Sequence, residues 1–356
     1  MVAWPFTVAE LTAGLRRYFA QPALHVKALS ASDNPHASRA REAHGLTVTY
    51  EVDGSASSIE CVVTEPRAAG RAGLAHPGVR EAGLYRALAG QLPMATPALI
   101  AADSAGSWLV LEAVEAEPAA GAWGPEDFEQ AVTLLVSLHE RFWGLAEDLS
   151  AYPWLARPLT LDYEIHVYAA AQALGKIVRD EQPPAIAQSA PVLSTLGQII
   201  SQADQVVQPL RALPFTLLHG DFWQRNLLRD EDGDPIVLDW QRAAIGPGLL
   251  DLLVLSTNHR WEQGGLPLPE AALAAHYRAE LRRCLHVEWS DTEWDQLWDH
   301  ALLWRFLQET LSWAAGAAPD EFAAHAERFD EVWLQPVLAA AERRLEKVIG
   351  NERFEI

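Results

Sequence analysis

Positive charge is what this sequence has least of: 27 lysines and arginines stand against 48 aspartates and glutamates in 356 residues, a formal net charge of −21. That balance repels phosphate-rich nucleic acid and anionic membrane surfaces, so neither is an expected partner. Cysteine is almost missing. Cys61 and Cys284 are too few for a disulfide framework and lack metal-ligand spacing, which makes a reducing cytoplasm the expected compartment. No uncharged apolar run reaches the length of about 18 residues that a membrane span needs, and the N-terminus lacks a basic segment followed by an apolar one. What is present is ordinary for a globular protein, 49% hydrophobic and 21% charged residues, in a length that fits about two domains.

Apolar spacing organises the chain. Residues 6–20 repeat at helical intervals behind a plausible cap at Thr7. Short β-like runs follow at 24–29, 46–52 and 59–63, the last two flanking Asp53-Gly54-Ser55, which reads as a hairpin turn. A helix over 77–92 and strands at 98–101 and 108–112 complete a small, mostly antiparallel sheet with one inserted helix. The stretch from Glu117 to Pro125, rich in Pro, Gly and Ala, marks the candidate boundary. We therefore expect an α+β protein with a small sheet-containing N-terminal lobe over 1–113 and a mostly helical lobe over 114–356, interrupted by β-like segments between 217 and 240.

Several signatures fail. His139-Glu140-Arg141-Phe142-Trp143 has Trp143 where a zinc helix needs its second histidine. Gly175-Lys176 lacks the first glycine and the Ser or Thr of a phosphate loop. Asp230-Glu231-Asp232-Gly233-Asp234 has its glycine at the wrong place for a calcium loop and reads as a polar turn.

One constellation survives. Leu217-Leu218-His219-Gly220-Asp221-Phe222-Trp223-Gln224-Arg225-Asn226 sets Asp221 and Asn226 five residues apart, and Ile236-Val237-Leu238-Asp239 ends an apolar run thirteen residues after Asn226. Phosphoryl transfer to an alcohol needs a carboxylate for the hydroxyl proton and oxygen ligands that hold Mg²⁺ against nucleotide phosphates. Asp, Asn and Asp supply those groups, and the chain has only four asparagines with which to match the pattern by chance.

The pattern resembles the catalytic loop and metal-binding aspartate of the aminoglycoside phosphotransferase and choline kinase-like family, relatives of the protein kinases. Gly246-Pro247-Gly248-Leu249-Leu250-Asp251 resembles the segment after the metal aspartate, Leu138-His139-Glu140-Arg141-Phe142-Trp143 its Leu-His-x-x-Phe-Trp helix, and Arg80-Glu81 with Tyr85 its Arg-Glu-x-x-x-Tyr helix. The resemblance implies a two-lobed kinase-like fold and a small-molecule kinase that uses Mg²⁺ and ATP, or GTP, to phosphorylate a hydroxyl of an aminoglycoside-like, choline-like or other small acceptor. It implies Asp221 as catalytic base, acting chiefly by orienting the hydroxyl, Asn226 and Asp239 as metal ligands, and His219 and Asp251 as supports of the loop. Glu81 would pair with a phosphate-binding cation, and Glu112 would end the strand leading to the adenine-binding hinge.

The family's third strand carries a lysine at the position Thr64 occupies here. With Lys27, Lys176 and Lys347 as the only lysines, Lys27 is the candidate for a relocated cation, with Arg39 and Arg67 as further options and Ser32, Asn34 and Ser38 as possible phosphate contacts. The bland reading of Lys27 is a solvated strand residue. A catalytically silent nucleotide- or metabolite-binding relative is the alternative function. Trp294, Trp298, Trp304 and Trp313 with Asp299 and Glu309 are either an acceptor pocket or, as tryptophans at helical spacing usually are, core.

Overall fold

In the computed structural model the described residues are 3–32, 42–66, 74, 76–114, 117–118 and 123–346. They form two compact units, one comprising Met1–Trp123, Ser150–Ala156 and His219–Ala243, the other Gly124–Leu149, Arg157–Leu218 and Ala244–Ile356.

The first unit opens with helix α1 (Val8–Tyr18). Its start is set chemically: Thr7 Oγ1 accepts from the Glu10 amide at 3.2 Å while the Glu10 carboxylate accepts from the Thr7 amide at 2.8 Å, a reciprocal capping box. Strands β1 (His25–Ser32), β2 (Glu42–Val52) and β3 (Ser55–Glu65) follow. The β2–β3 hairpin closes through Asp53 and Gly54 alone, since Val52 already faces Ser55, and both loop residues have positive φ (49° and 84°). That is the primed turn whose twist suits adjoining strands. Helix α2 (Pro77–Ala87) precedes β4 (Leu99–Ala102) and β5 (Leu109–Glu112), and the sheet order is β1-β2-β3-β5-β4, antiparallel throughout.

Alternation gives each face of this sheet its task. Leu46, Val48, Cys61, Val63 and Val110 pack with Leu11 and Leu15 of α1 in one core. Each fully buried leucine there contributes roughly 1.5–3 kcal/mol. Residues one step along, among them Val62 and Thr64, therefore take the opposite face. The unit also contains a three-stranded sheet in the order β6-β8-β9, built from β6 (Glu117–Pro118), β8 (Leu227–Arg229) and β9 (Pro235–Val237). The acidic segment at 230–234 is the turn between the last two: the Asp230 carboxylate accepts from the amides of Asp232 (3.0 Å) and Asp234 (2.8 Å).

The second unit is mostly helical. Its helix α3 (Pro125–Arg141) starts with Pro125 in the first turn and the Gly124 amide donated to Asp127 at 2.9 Å. Strands β7 (Thr216–Leu218) and β10 (Ala244–Gly246) pair antiparallel within it. The longer helices after α3 are Tyr163–Asp180, Ala190–Ser201, Leu249–Gln263, Glu270–Leu285 and Asp291–Arg305. Trp294 and Trp304 are buried in its interior. Asp299 is also buried, held by Arg343 (2.6 Å) and Arg344 (2.7 Å). These three residues belong to the core, as helical spacing favoured, and Trp298 and Trp313 are only partly covered. Among the described residues no helix is long and apolar enough to cross a membrane. The antiparallel sheet and the mostly helical second unit are the α+β architecture expected from the sequence.

Candidate active site

Strand β7 delivers the chain to His219, and the residues after it are fixed by their own hydrogen bonds. His219 is fully buried; its Nδ1 accepts from the Asp221 amide (3.1 Å), which leaves the proton on Nε2 to donate to the Leu238 carbonyl (2.8 Å). One imidazole thus ties Asp221 to the residue before Asp239, as a loop organiser does. Gly220 between them has φ +79°, and a Cβ there would lie 2.3 Å from the Arg242 carbonyl oxygen. Both conditions require glycine.

Asn226 ends a tight turn over Gln224–Asn226. Its Nδ2 donates to the Asp221 backbone carbonyl (2.8 Å) and to Asp221 Oδ2 (3.2 Å), and its own carbonyl accepts from the Leu238 amide (2.9 Å). The β8–β9 register pairs Leu227 with Val237, so Asn226 and Asp239 leave the same end of that hairpin. Asp239 takes a left-handed conformation (φ 65°, ψ 63°) that few residues other than glycine, asparagine and aspartate adopt. Its Oδ2 accepts from Gln241 Nε2 at 3.3 Å. Asn226 and Asp239 are both buried, and Asp221 is half-buried.

The donor chemistry here fits Mg²⁺. With its nitrogen spent on Asp221, the Asn226 carboxamide has its oxygen to offer a cation, and Asp239 adds a carboxylate. Mg²⁺ prefers oxygen ligands and is usually held by one or two protein groups together with substrate phosphates and water. Among the described residues no cluster of three or more His, Cys, Asp and Glu forms a cage that would hold a metal alone.

The other expected residues are placed as follows. Lys27 stands at a bulge in β1 between Val26 and Ala28, its Nζ 3.0 Å from Glu51, with 51% of its side chain exposed. Thr64 is buried on β3, and among the described residues its hydroxyl has no hydrogen-bond partner. Glu81 is fully buried on α2. The Glu112 carboxylate accepts from Tyr18 Oη (2.7 Å) and the Ala98 amide (3.3 Å), so it fastens α1 and the start of β4 to the end of β5. Burial first, and the bond to Glu112 second, push the Tyr18 hydroxyl up to about 12. Arg39, Arg67, Asn34, Ser38 and Lys347 lie outside the described residues.

Asp251 belongs to the second unit, fully buried on Leu249–Gln263 with Oδ2 3.3 Å from His139 Nε2. The other ring nitrogen of His139 bonds the Tyr277 hydroxyl at 2.8 Å, and the His139 carbonyl accepts from Thr216 Oγ1, also at 2.8 Å. His139 is therefore the core histidine its apolar stripe suggested. Tyr277 was not foreseen, because no spacing links it to residue 139.

Residues 41–287, more than half of the chain, match the phosphotransferase enzyme family. The chain belongs to that family. That family is one of phosphotransferase enzymes. A putative aminoglycoside phosphotransferase from Ralstonia eutropha is similar in structure with a TM-score of 0.56 at 15% identity, over 94% of this chain and 99% of that one. A microcompartment-associated aminopropanol kinase gives 0.50 at 16%, over 93% and 96%. A thermostable mutant of the aminoglycoside phosphotransferase APH(4)-Ia, in a ternary complex with ADP and hygromycin B, gives 0.50 at 17%, over 92% and 98%. No curated protein matches. At these identities the solved structures establish the phosphotransferase's kinase-like fold.

Proposed function

We propose that this phosphotransferase moves the γ-phosphate of ATP, or GTP, to a hydroxyl of a small acceptor, with Asp221 at the acceptor and Asn226 and Asp239 as the protein's Mg²⁺ ligands. The observation that carries the reading is the pair of hydrogen bonds that Asn226 Nδ2 donates to Asp221 O and Oδ2, which joins the proposed base to a proposed metal ligand in one turn. Asp221 aligns the acceptor oxygen for in-line attack on the γ-phosphorus and takes its proton, the bond from that phosphorus to the bridging oxygen breaks, and the nucleoside diphosphate departs. Bound Mg²⁺ neutralises charge on the phosphates. Alignment and electrostatic stabilisation together supply most of the acceleration in such a reaction.

Hydroxylated amines, aminoglycoside-like or choline-like, are the acceptors this reading favours. The net charge of −21 attracts cations, and hygromycin B and aminopropanol name what two structural relatives take. The test is a panel of such alcohols with Mg²⁺ and ATP or GTP, followed by phosphorus NMR. The expected result is acceptor-dependent nucleoside diphosphate with an equal amount of new phosphoester. Diphosphate release that no acceptor stimulates would count against it.

A second reading, a silent relative that binds nucleotide or metabolite without transfer, is favoured by Thr64 in the lysine position and by the engagement of Lys27 with Glu51. An exposed pair of that kind is worth only about 0–1 kcal/mol. Accordingly Lys27→Ala is expected to leave nucleotide affinity within about twofold of wild type, a change of less than half a kcal/mol. A tenfold loss in calorimetry would instead assign Lys27 to the phosphates. Acceptor-stimulated turnover that requires Asp221 eliminates the silent reading.

A further inference from the structure

Arg80 precedes Glu81 on α2, yet its guanidinium serves another part of the first unit. It is 8% exposed, and two backbone carbonyls are among its acceptors: Nη1 donates to Gln241 O at 2.7 Å and Nε to Trp154 O at 3.3 Å. Gln241 lies in the tight turn Trp240–Arg242 that follows Asp239, and its side-chain amide is the donor to Asp239 Oδ2. The same residue is thus gripped at its backbone by Arg80 and grips the aspartate with its side chain.

The surroundings make this grip rigid. Gly83, one turn further along α2, faces the Trp154 ring so closely that a Cβ would lie 2.6 Å from it. The Ala156 amide donates to Ala243 O at 3.2 Å, at the end of the turn. On its other side the turn presents the Arg242 carbonyl to Gly220, the residue before Asp221. Asp239 itself holds a left-handed conformation, which persists only where neighbours over-determine it.

We propose that Arg80 is a positioning residue of the phosphotransferase: through Gln241 it sets the direction of the Asp239 carboxylate and so couples α2 to the metal site. This rests on the reading of Asp239 as a Mg²⁺ ligand. Partners that orient metal ligands typically change metal affinity by about 10–100-fold when lost. A lysine reaches one carbonyl with a point charge where the planar fork reaches two.

The experiment measures the Mg²⁺ concentration needed for half-maximal nucleotide binding, by calorimetry at fixed ATP, alongside melting temperature. Arg80→Met is expected to raise that concentration by about tenfold or more, Arg80→Lys by less, and Gln241→Ala in the same direction. Arg80→Met combined with Gln241→Ala should shift it no further than Arg80→Met alone, since the two act in series. Arg86→Met, on the same helix but bonded to Ala102 O, should leave it unchanged. An Arg80→Met protein that melts lower but keeps the wild-type Mg²⁺ requirement overturns the proposal. If that variant does not fold, a wild-type requirement in Arg80→Lys and Gln241→Ala overturns it equally. Wild-type protein without Mg²⁺-dependent nucleotide binding overturns the reading of Asp239, and this inference with it.

Discussion

Asp221→Asn is expected to lower kcat by roughly 10³-fold, within the range that loss of a general base produces, while the protein stays folded. Two of the bonds that hold this residue in place use its backbone: its amide donates to His219 Nδ1 and its carbonyl accepts from Asn226 Nδ2, at 3.1 and 2.8 Å. An asparagine keeps both and can still offer an oxygen to Asn226 Nδ2, which lies 3.2 Å from Asp221 Oδ2. What it loses is the capacity to take a proton and the charge that aligns a hydroxyl. The melting temperature should therefore move little, because substitutions that leave such contacts intact cost about 0.5 kcal/mol or less. Nucleotide binding should survive, since the proposed function gives the phosphates to Mg²⁺ on Asn226 and Asp239 and not to Asp221. Single-turnover kinetics with a thermal melt on the same sample checks both halves. Turnover retained in the variant removes Asp221 from the role of base.

Gly220→Ala is expected to damage stability and activity together. The alanine would meet the Arg242 carbonyl oxygen at 2.3 Å and its carbon at 2.9 Å while held at φ +79°. Left-handed strain and overpacking against backbone together come to about 2–6 kcal/mol. Relief means pulling His219–Asp221 away from Trp240–Arg242, which separates the base from the metal ligand. Gly233→Ala is the matched control: its φ is +87°, but a Cβ there has nothing within 4 Å, so only the conformational cost of about 1 kcal/mol applies. Denaturant melts of the two variants should differ by several-fold in the stability lost. Equal losses would show that the close approach of the two loops does not constrain the site.

Much of the first unit was legible because its signals are local. The cap at Thr7, the hairpin turn at Asp53-Gly54-Ser55 and the acidic turn at 230–234 each state their structure within five residues, and all three form as read. The spacing of Asp221, Asn226 and Asp239 was legible for the same reason: a loop and a hairpin close at hand bring them to one end. Contacts between distant residues were not. Arg80 reaches a carbonyl 161 residues away, and a backbone acceptor leaves no trace in residue type. His139 and Tyr277 meet only through helix packing, and the β7–β10 pair uses three-residue strands too short to show alternation. The tryptophans were ambiguous in principle, since helical spacing is the same for a core stripe and a pocket wall; the arginines on Asp299 decide for core there. The resemblance suggested Glu112 for the hinge, where its side chain proves to be bonded to Tyr18.

The absence of a lysine at position 64 makes metal-supported nucleotide binding the central claim. With Thr64 buried on the third strand and Lys27 paired to Glu51, the account puts the nucleotide's charge on Mg²⁺ held by Asn226 and Asp239. The most direct test is calorimetric titration of ATP and GTP, with and without Mg²⁺, into wild type and Asp239→Ala. Saturable binding that needs Mg²⁺ and disappears in a folded Asp239→Ala protein is the predicted result. Absence of binding to folded wild type at nucleotide concentrations of about 1 mM, equivalent to about 4 kcal/mol, or binding that Asp239→Ala leaves intact, would contradict the account.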